Sequence, residues 1–259
     1  MFWKLLRKYK SLSQNSKKIF WAAVILIFGY FIFLKIYPNP NNWTKISAFG
    51  IKLPLKYEIH GIDVSHHNGN IDWEAVKNVD ENGVKIDFAF IKVSEGTSIL
   101  DKDFKKNWLS AKKYKIKRGA YHYYIPWRDP ESQFAIFKKN VSLAEGDFAP
   151  VLDIEENSLR PDKKIIADIG TWLRLVENHY GVKPIIYTNQ SYFNKFIKGH
   201  YDQYPLWIAD YSKTELNLYP KHNLYFWQYS KKGKLEGIKG DVDFNSFLMD
   251  KSEYESLMK

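Results

Sequence analysis

The 259-residue sequence contains no cysteine. That absence excludes a disulfide framework, a thiolate zinc site and a lipidated N-terminal cysteine, and it leaves the redox compartment unspecified. A second absence is regional: residues 1–57 hold ten Lys and Arg but no Asp or Glu. The whole chain has 39 basic and 29 acidic residues, so 29 of each remain from Glu58 onward. The net charge of +10 therefore belongs to the N-terminal stretch, and a basic nucleic-acid-binding domain is excluded.

That stretch divides further. Residues 1–18 carry Lys4, Arg7, Lys8, Lys10, Lys17 and Lys18, whereas residues 19–37 carry one charge, Lys35. As a helix, residues 19–37 reach about 28 Å at 1.5 Å per residue, enough with their flanks to cross a hydrocarbon core of about 30 Å. A cleaved signal needs a small-residue cleavage site, and Tyr37-Pro38-Asn39-Pro40-Asn41-Asn42 lacks one. The expectation is an uncleaved signal anchor in the cytoplasmic membrane. By the positive-inside rule, residues 1–18 stay cytoplasmic and everything after Tyr37 is exported. Residues 38–57 read as a short polar linker with some strand character, and residues 58–259 as one domain.

From Glu58 the sequence alternates strand and helix patterns. Apolar runs at 58–65, 87–94, 119–125, 151–154 and 183–187 are each followed by a helical segment, near 73–82, 103–115, 130–141, 162–180 and 192–197. Runs at 205–209, 224–228 and 242–245 follow without helical periodicity between them. Five βα units and three further strands predict an α/β fold, a TIM-like barrel short of its last helices. Chemistry in such barrels sits at the C-terminal ends of strands.

The fourth strand, Ala149 to Ile154, ends in carboxylates. Side chains alternate along a strand, so Asp153 and Glu155 share one face, about 6.6 Å apart at Cα and close enough to alter each other's protonation. Asp63 ends the first strand, Asp210 follows the sixth and Asp243 lies in the eighth. Barrel closure makes the first and eighth strands neighbours, which predicts Asp63 beside Asp243. Tyr121, Tyr123, Trp127, Tyr187, Trp207, Tyr211 and Trp227 crowd the same rim, with Asn189 and Gln228 as amide donors. Flat apolar faces beside carboxylates and amides suit a sugar ring. The expected substrate-binding set is Tyr121, Tyr123, Tyr187, Trp207, Asp210, Trp227 and Gln228. Neither cofactor nor metal is expected; His66, His67 and His122 give no ligand spacing.

The motifs from Gly61 to Trp73, Phe90 to Thr97, Gly119 to Tyr124, Val151 to Glu155, Pro184 to Tyr187, Leu206 to Ala209, Trp227 to Tyr229 and Val242 to Asn245 resemble, in order, those of glycoside hydrolase family 25. These are the N,O-diacetylmuramidases, lysozymes that cut peptidoglycan. The resemblance covers residues 58 to 250 and implies a flattened barrel of five βα units and three strands. It implies that Glu155 is the general acid, Asp153 its partner carboxylate, and Asp63 and Asp243 the other acids of a catalytic pit. It also implies peptidoglycan glycan strands as substrate, cut between N-acetylmuramic acid and N-acetylglucosamine. Retaining, inverting and substrate-assisted routes all stay open. Family 18 chitinases also end the fourth strand in D-x-E, but their longer pattern needs Asp where this chain has Phe148 and Val151. A non-catalytic, membrane-anchored glycan-binding module is the alternative from another class.

Overall fold

The computed structural model describes residues 13–36, 43–217 and 219–259. The chain forms two compact units that divide between Asn42 and Trp43. In the first, helix α1 spans Gln14–Ile36 and has no acidic residue in its first turn. It begins before the expected position because Ser13 Oγ accepts the Ser16 amide at 3.2 Å, an N-cap placed upstream of the apolar run. Ile25, Leu26 and Phe28 are exposed. The segment Gln14–Ile32 is long and apolar enough to cross a membrane, with a mean hydropathy of 1.3. Residues 1–12 of the basic segment, Tyr37 and residues 38–42 of the expected linker lie outside the described residues.

The second unit opens with an antiparallel hairpin, β1 (Trp43–Ile46) and β2 (Ile51–Pro54), where a linker was expected. Tertiary packing makes the difference. Trp43 sets its ring edge-on to Trp227 and Tyr229, with centroids 5.3 and 5.7 Å away, and Ile46, Phe49 and Leu53 are buried. Too few residues alternate here for a period to be read from sequence.

Eight strands then close a barrel. They are β3 (His60–Val64), β4 (Phe88–Glu95), β6 (Lys117–Tyr123), β7 (Val151–Ile154), β8 (Ile185–Asn189), β9 (Leu206–Ala209), β10 (Leu224–Leu235) and β11 (Ile238–Phe247). A two-residue strand, β5 (Ile99–Leu100), edges β4. The pairs from β3 round to β10 are parallel, while β11 is antiparallel to both β10 and β3. Helices α2 (Trp73–Asn78), α3 (Phe104–Lys113), α4 (Pro130–Asn140) and α5 (Asp162–Tyr180) fill the crossovers. Pro130 follows the Asp129 cap of α4, and Gly181 ends α5 at φ 73, the left-handed stop that glycine makes without strain. After β8 only a short helical turn, Gln190–Tyr192, and a π-helical turn, Phe193–Ile197, remain.

The barrel interior is graded along its axis. At the N-terminal end of the parallel strands, Phe88, Phe148, Phe226 and Phe247 form an aromatic plug that Tyr254 completes, carried by helix α6 (Lys251–Ser256). Glycine makes room for it: a Cβ on Gly61 would stand 2.5 Å from the Phe88 ring, and one on Gly119 would stand 2.4 Å from that of Phe90. Phe90 and Trp207 stack above, at 4.5 Å. The carboxylates come next, at the opposite end, over an apolar floor.

Candidate active site

A cavity of about 450 Å³ opens at that end and is lined by Asp63, Asp153, Glu155 and Asp243. Strand geometry puts them there. Asp63 and Asp243 are direct partners in the β3–β11 register, as expected from closure. Asp153 is the third residue of β7, and Glu155 lies one residue past its end, on the same face.

The four carboxyls share a low-dielectric site, and burial is the first cause that raises each of them. Asp243 is pushed up to about 8 by burial and then by the charge of Asp63. Asp153 is driven well above the carboxylate range by burial and then by Glu155. Glu155 is raised by burial and then by Asp63, against Lys92 and Lys231, which pull it down. As a residue Glu155 is solvent-exposed, but protein crowds its carboxyl at the mouth of the pit. The spacing of Asp153 and Glu155 predicts that they perturb each other, and Glu155 does raise Asp153, while Asp63 adds its charge to raise Glu155. Asp153 Oδ1 is buried with no hydrogen-bond partner, on a residue that lines the cavity.

The expected sugar-binding residues separate into three groups. Tyr121, Tyr123, Tyr187, Trp207 and Gln228 line the pit. Trp207, however, is only 2% exposed, with its indole on Phe90, so it is floor rather than an open stacking surface. Asp210 lies in the adjoining groove with Asn189, Gln190, Ser191 and Ser212, and its Oδ1 accepts from the Ser212 amide and hydroxyl. Trp227 is not in the site. It points out of the barrel, fully buried against Trp43 and donating to the Asp210 carbonyl, because its neighbour Gln228 takes the inward position. Trp127, 50% exposed, lies in a separate cleft with Arg128 and Arg160.

Other lining residues were not foreseen. Lys92 donates to Glu95 Oε2 at 2.8 Å and sits 4.6 Å from the Tyr123 ring centroid. A lysine inside the apolar run Phe90-Ile91-Lys92-Val93 was a legible signal, since a buried strand admits a charge only with a partner. Lys231 lines both cavities, and one lysine among Lys231, Lys232 and Lys234 carries no signal in sequence. His67 lines the pit, His66 Nδ1 pairs with Asp101 at 2.8 Å, and His122 is buried between Ser94 and Gln133, its pKa lowered by burial to about 4.

An acid whose pKa is raised by folding costs stability once pH passes its unfolded value. For Asp243 that cost grows between about pH 4 and about pH 8 and is complete above. Asp243→Asn, which keeps the shape and cannot ionise, is therefore expected to melt higher than the parent at pH 9. The gap should close at pH 4, and an equal gap at both pH values would exclude ionisation as its cause.

The sequence profile of glycosyl hydrolases family 25 matches residues 62–238. A protein of Escherichia coli K12 named uncharacterized protein YegX is 36% identical over 237 residues, covering 90% of this chain and 83% of its own. Lysozyme M1 of Streptomyces globisporus is 32% identical over 208 residues, covering 73% of this chain and 67% of its own. Among solved structures, a family 25 glycosyl hydrolase from Bacillus anthracis superposes with a TM-score of 0.71 at 31% identity, covering 79% of this chain and 95% of that one.

Proposed function

The chain belongs to glycosyl hydrolases family 25, and from that premise we propose that it cuts peptidoglycan glycan strands at the β-1,4 bond between N-acetylmuramic acid and N-acetylglucosamine. It is a glycoside hydrolase of the lysozyme type. One observation carries the finer reading: Asp153 and Glu155 end β7 together over an apolar floor, both raised by burial, with Asp153 Oδ1 unpartnered.

Glu155 is the general acid. Its raised pKa holds its proton to higher pH than an ordinary glutamate does, and its place at the mouth suits transfer to the leaving glycosidic oxygen. Asp153 is the partner carboxyl. Asp153 lines the pit and carries an unpartnered carboxyl oxygen, which favours the substrate-assisted route in which it orients a 2-acetamido group that closes on the anomeric carbon. Water then opens the cyclic intermediate as Glu155, now a base, takes the proton. Tyr121 and Tyr123 flank the sugar. Domain limits follow the same reading: a basic cytoplasmic segment, the α1 anchor, a connection and the barrel.

Mass spectrometry of digested peptidoglycan tests the reaction. New reducing ends on N-acetylmuramic acid support it; glycan retained on the protein with no new ends supports the binding-module alternative instead.

For localisation we propose a single uncleaved pass through the cytoplasmic membrane, with the barrel outside. The run of basic residues before α1 and the absence of acidic residues up to Tyr57 support this orientation. A reporter fused after Lys259 should be active outside the cytoplasm and sediment with membranes. Activity inside, or release of the barrel without detergent, would contradict it.

A further inference from the structure

Asp63 Oδ2 accepts two amide hydrogen bonds at 2.8 Å, one from Gln228 Nε2 and one from Asn245 Nδ2. Each amide is itself held from behind. Trp207 Nε1 donates to Asn245 Oδ1 at 2.8 Å, and an indole N–H can only donate, so Asn245 must turn its NH₂ toward Asp63. The hydroxyls of Tyr187 and Tyr211 both donate to Gln228 Oε1, at 2.9 and 2.5 Å, which turns its NH₂ the same way. Two N–H donors aimed at one carboxyl oxygen favour the ionised form of Asp63 and work against the effect of its burial. The proton of the Asp63/Asp243 pair therefore belongs to Asp243, across the β3–β11 register.

We infer that Tyr187, Tyr211, Gln228, Trp207 and Asn245 are positioning residues that lock Asp63 as the anion of the pit, and that this fixed charge keeps the proton on Glu155. The inference deepens the muramidase reading and rests on it. It also reassigns Tyr187, Trp207 and Gln228, which composition had pointed to as sugar contacts. They act on the sugar through Asp63.

The charged and titratable groups that line the pit with Asp63 are Asp243 and Asp241 on β11, Asp153 and Glu155 at the end of β7, Tyr121 and Tyr123 on β6, Tyr187 on β8, Tyr211 after β9, Lys92 on β4, Lys231 on β10 and His67 in the loop after β3. The two lysines oppose Asp63 in their effect on Glu155. Without its donors Asp63 holds a proton to higher pH, its charge is lost at neutral pH, and Glu155 ionises at lower pH.

The test uses the full chain in detergent, with Gln228→Met and with Tyr187→Phe/Tyr211→Phe. For each, kcat should fall roughly tenfold to hundredfold, from the loss of one hydrogen bond to a charged group in the first and of two hydrogen bonds to a neutral amide in the second, with KM within about twofold. The alkaline limb of kcat/KM should move to lower pH. Carboxyl ¹³C NMR, which needs no turnover, should find Asp63 ionised and Asp243 protonated at pH 6 in the parent, and the Asp63 midpoint raised in both variants. A raised KM with an unmoved alkaline limb would make the tyrosines sugar contacts and overturn the proposal, as would an unchanged Asp63 titration. Should the double variant unfold, Tyr211→Phe alone, at a side chain 46% exposed, carries the same readouts. A parent that releases no reducing ends defeats the muramidase reading, while the NMR result still decides the charge assignment.

Discussion

Glu155→Gln should bind glycan as the parent does and turn it over roughly 10²- to 10⁴-fold more slowly, the range for loss of a general acid. The substitution keeps the length and planarity of the side chain and removes only the transferable proton. Because Glu155 stands at the open mouth and not in the packed floor, the change should leave thermal stability near that of the parent. Binding is read by retention on insoluble peptidoglycan, and turnover by release of reducing ends. Near-normal turnover would refute the assignment of the acid and most of the mechanism with it.

Asp153→Asn should separate substrates. If the 2-acetamido group is the nucleophile and Asp153 orients it, the variant loses roughly threefold to tenfold on N-acetylated strands, the worth of one neutral hydrogen bond, and much less on de-N-acetylated strands. The alkaline limb of its pH profile should barely move, since Asp153, driven well above the carboxylate range, holds its proton while Glu155 titrates and so has no charge to lose. Equal losses on both substrates would exclude substrate assistance. A large downward shift of the limb would instead mean that the two β7 carboxyls titrate as the primary pair.

The carboxylates were legible in the sequence because each interrupts an apolar run at a strand end, a break that buried parallel strands do not otherwise show. Asp63 and Asp243 were legible as neighbours because closure leaves the last strand no other partner than the first. Helix α5 was legible at both ends, from its apolar period and Gly181. What could not be read is which side of a doubly buried strand faces the barrel axis. Trp227 and Gln228 are adjacent, so only one can point inward, yet both sides of β10 are apolar enough to hide the choice. The hairpin β1–β2 was legible only as some strand character within a linker, because its fold depends on Trp227 and Tyr229, more than 180 positions downstream of Trp43. Lys92 announced a partner, but its sequence gave no hint that the partner would be Glu95 on the same strand.

The seam between β3 and β11 has a further consequence, in time rather than space. Asp63 meets Asn245 across 182 residues of chain, and β11 is the last strand made. Pairings this distant in sequence pay the largest loop-closure entropy and form late. Every other strand of the barrel can be in place while the pit still lacks Asp243, Asn245 and, with them, the clamp on Asp63. On the proposed assignment of the pit, hydrolytic competence arrives with the final zippering of the chain.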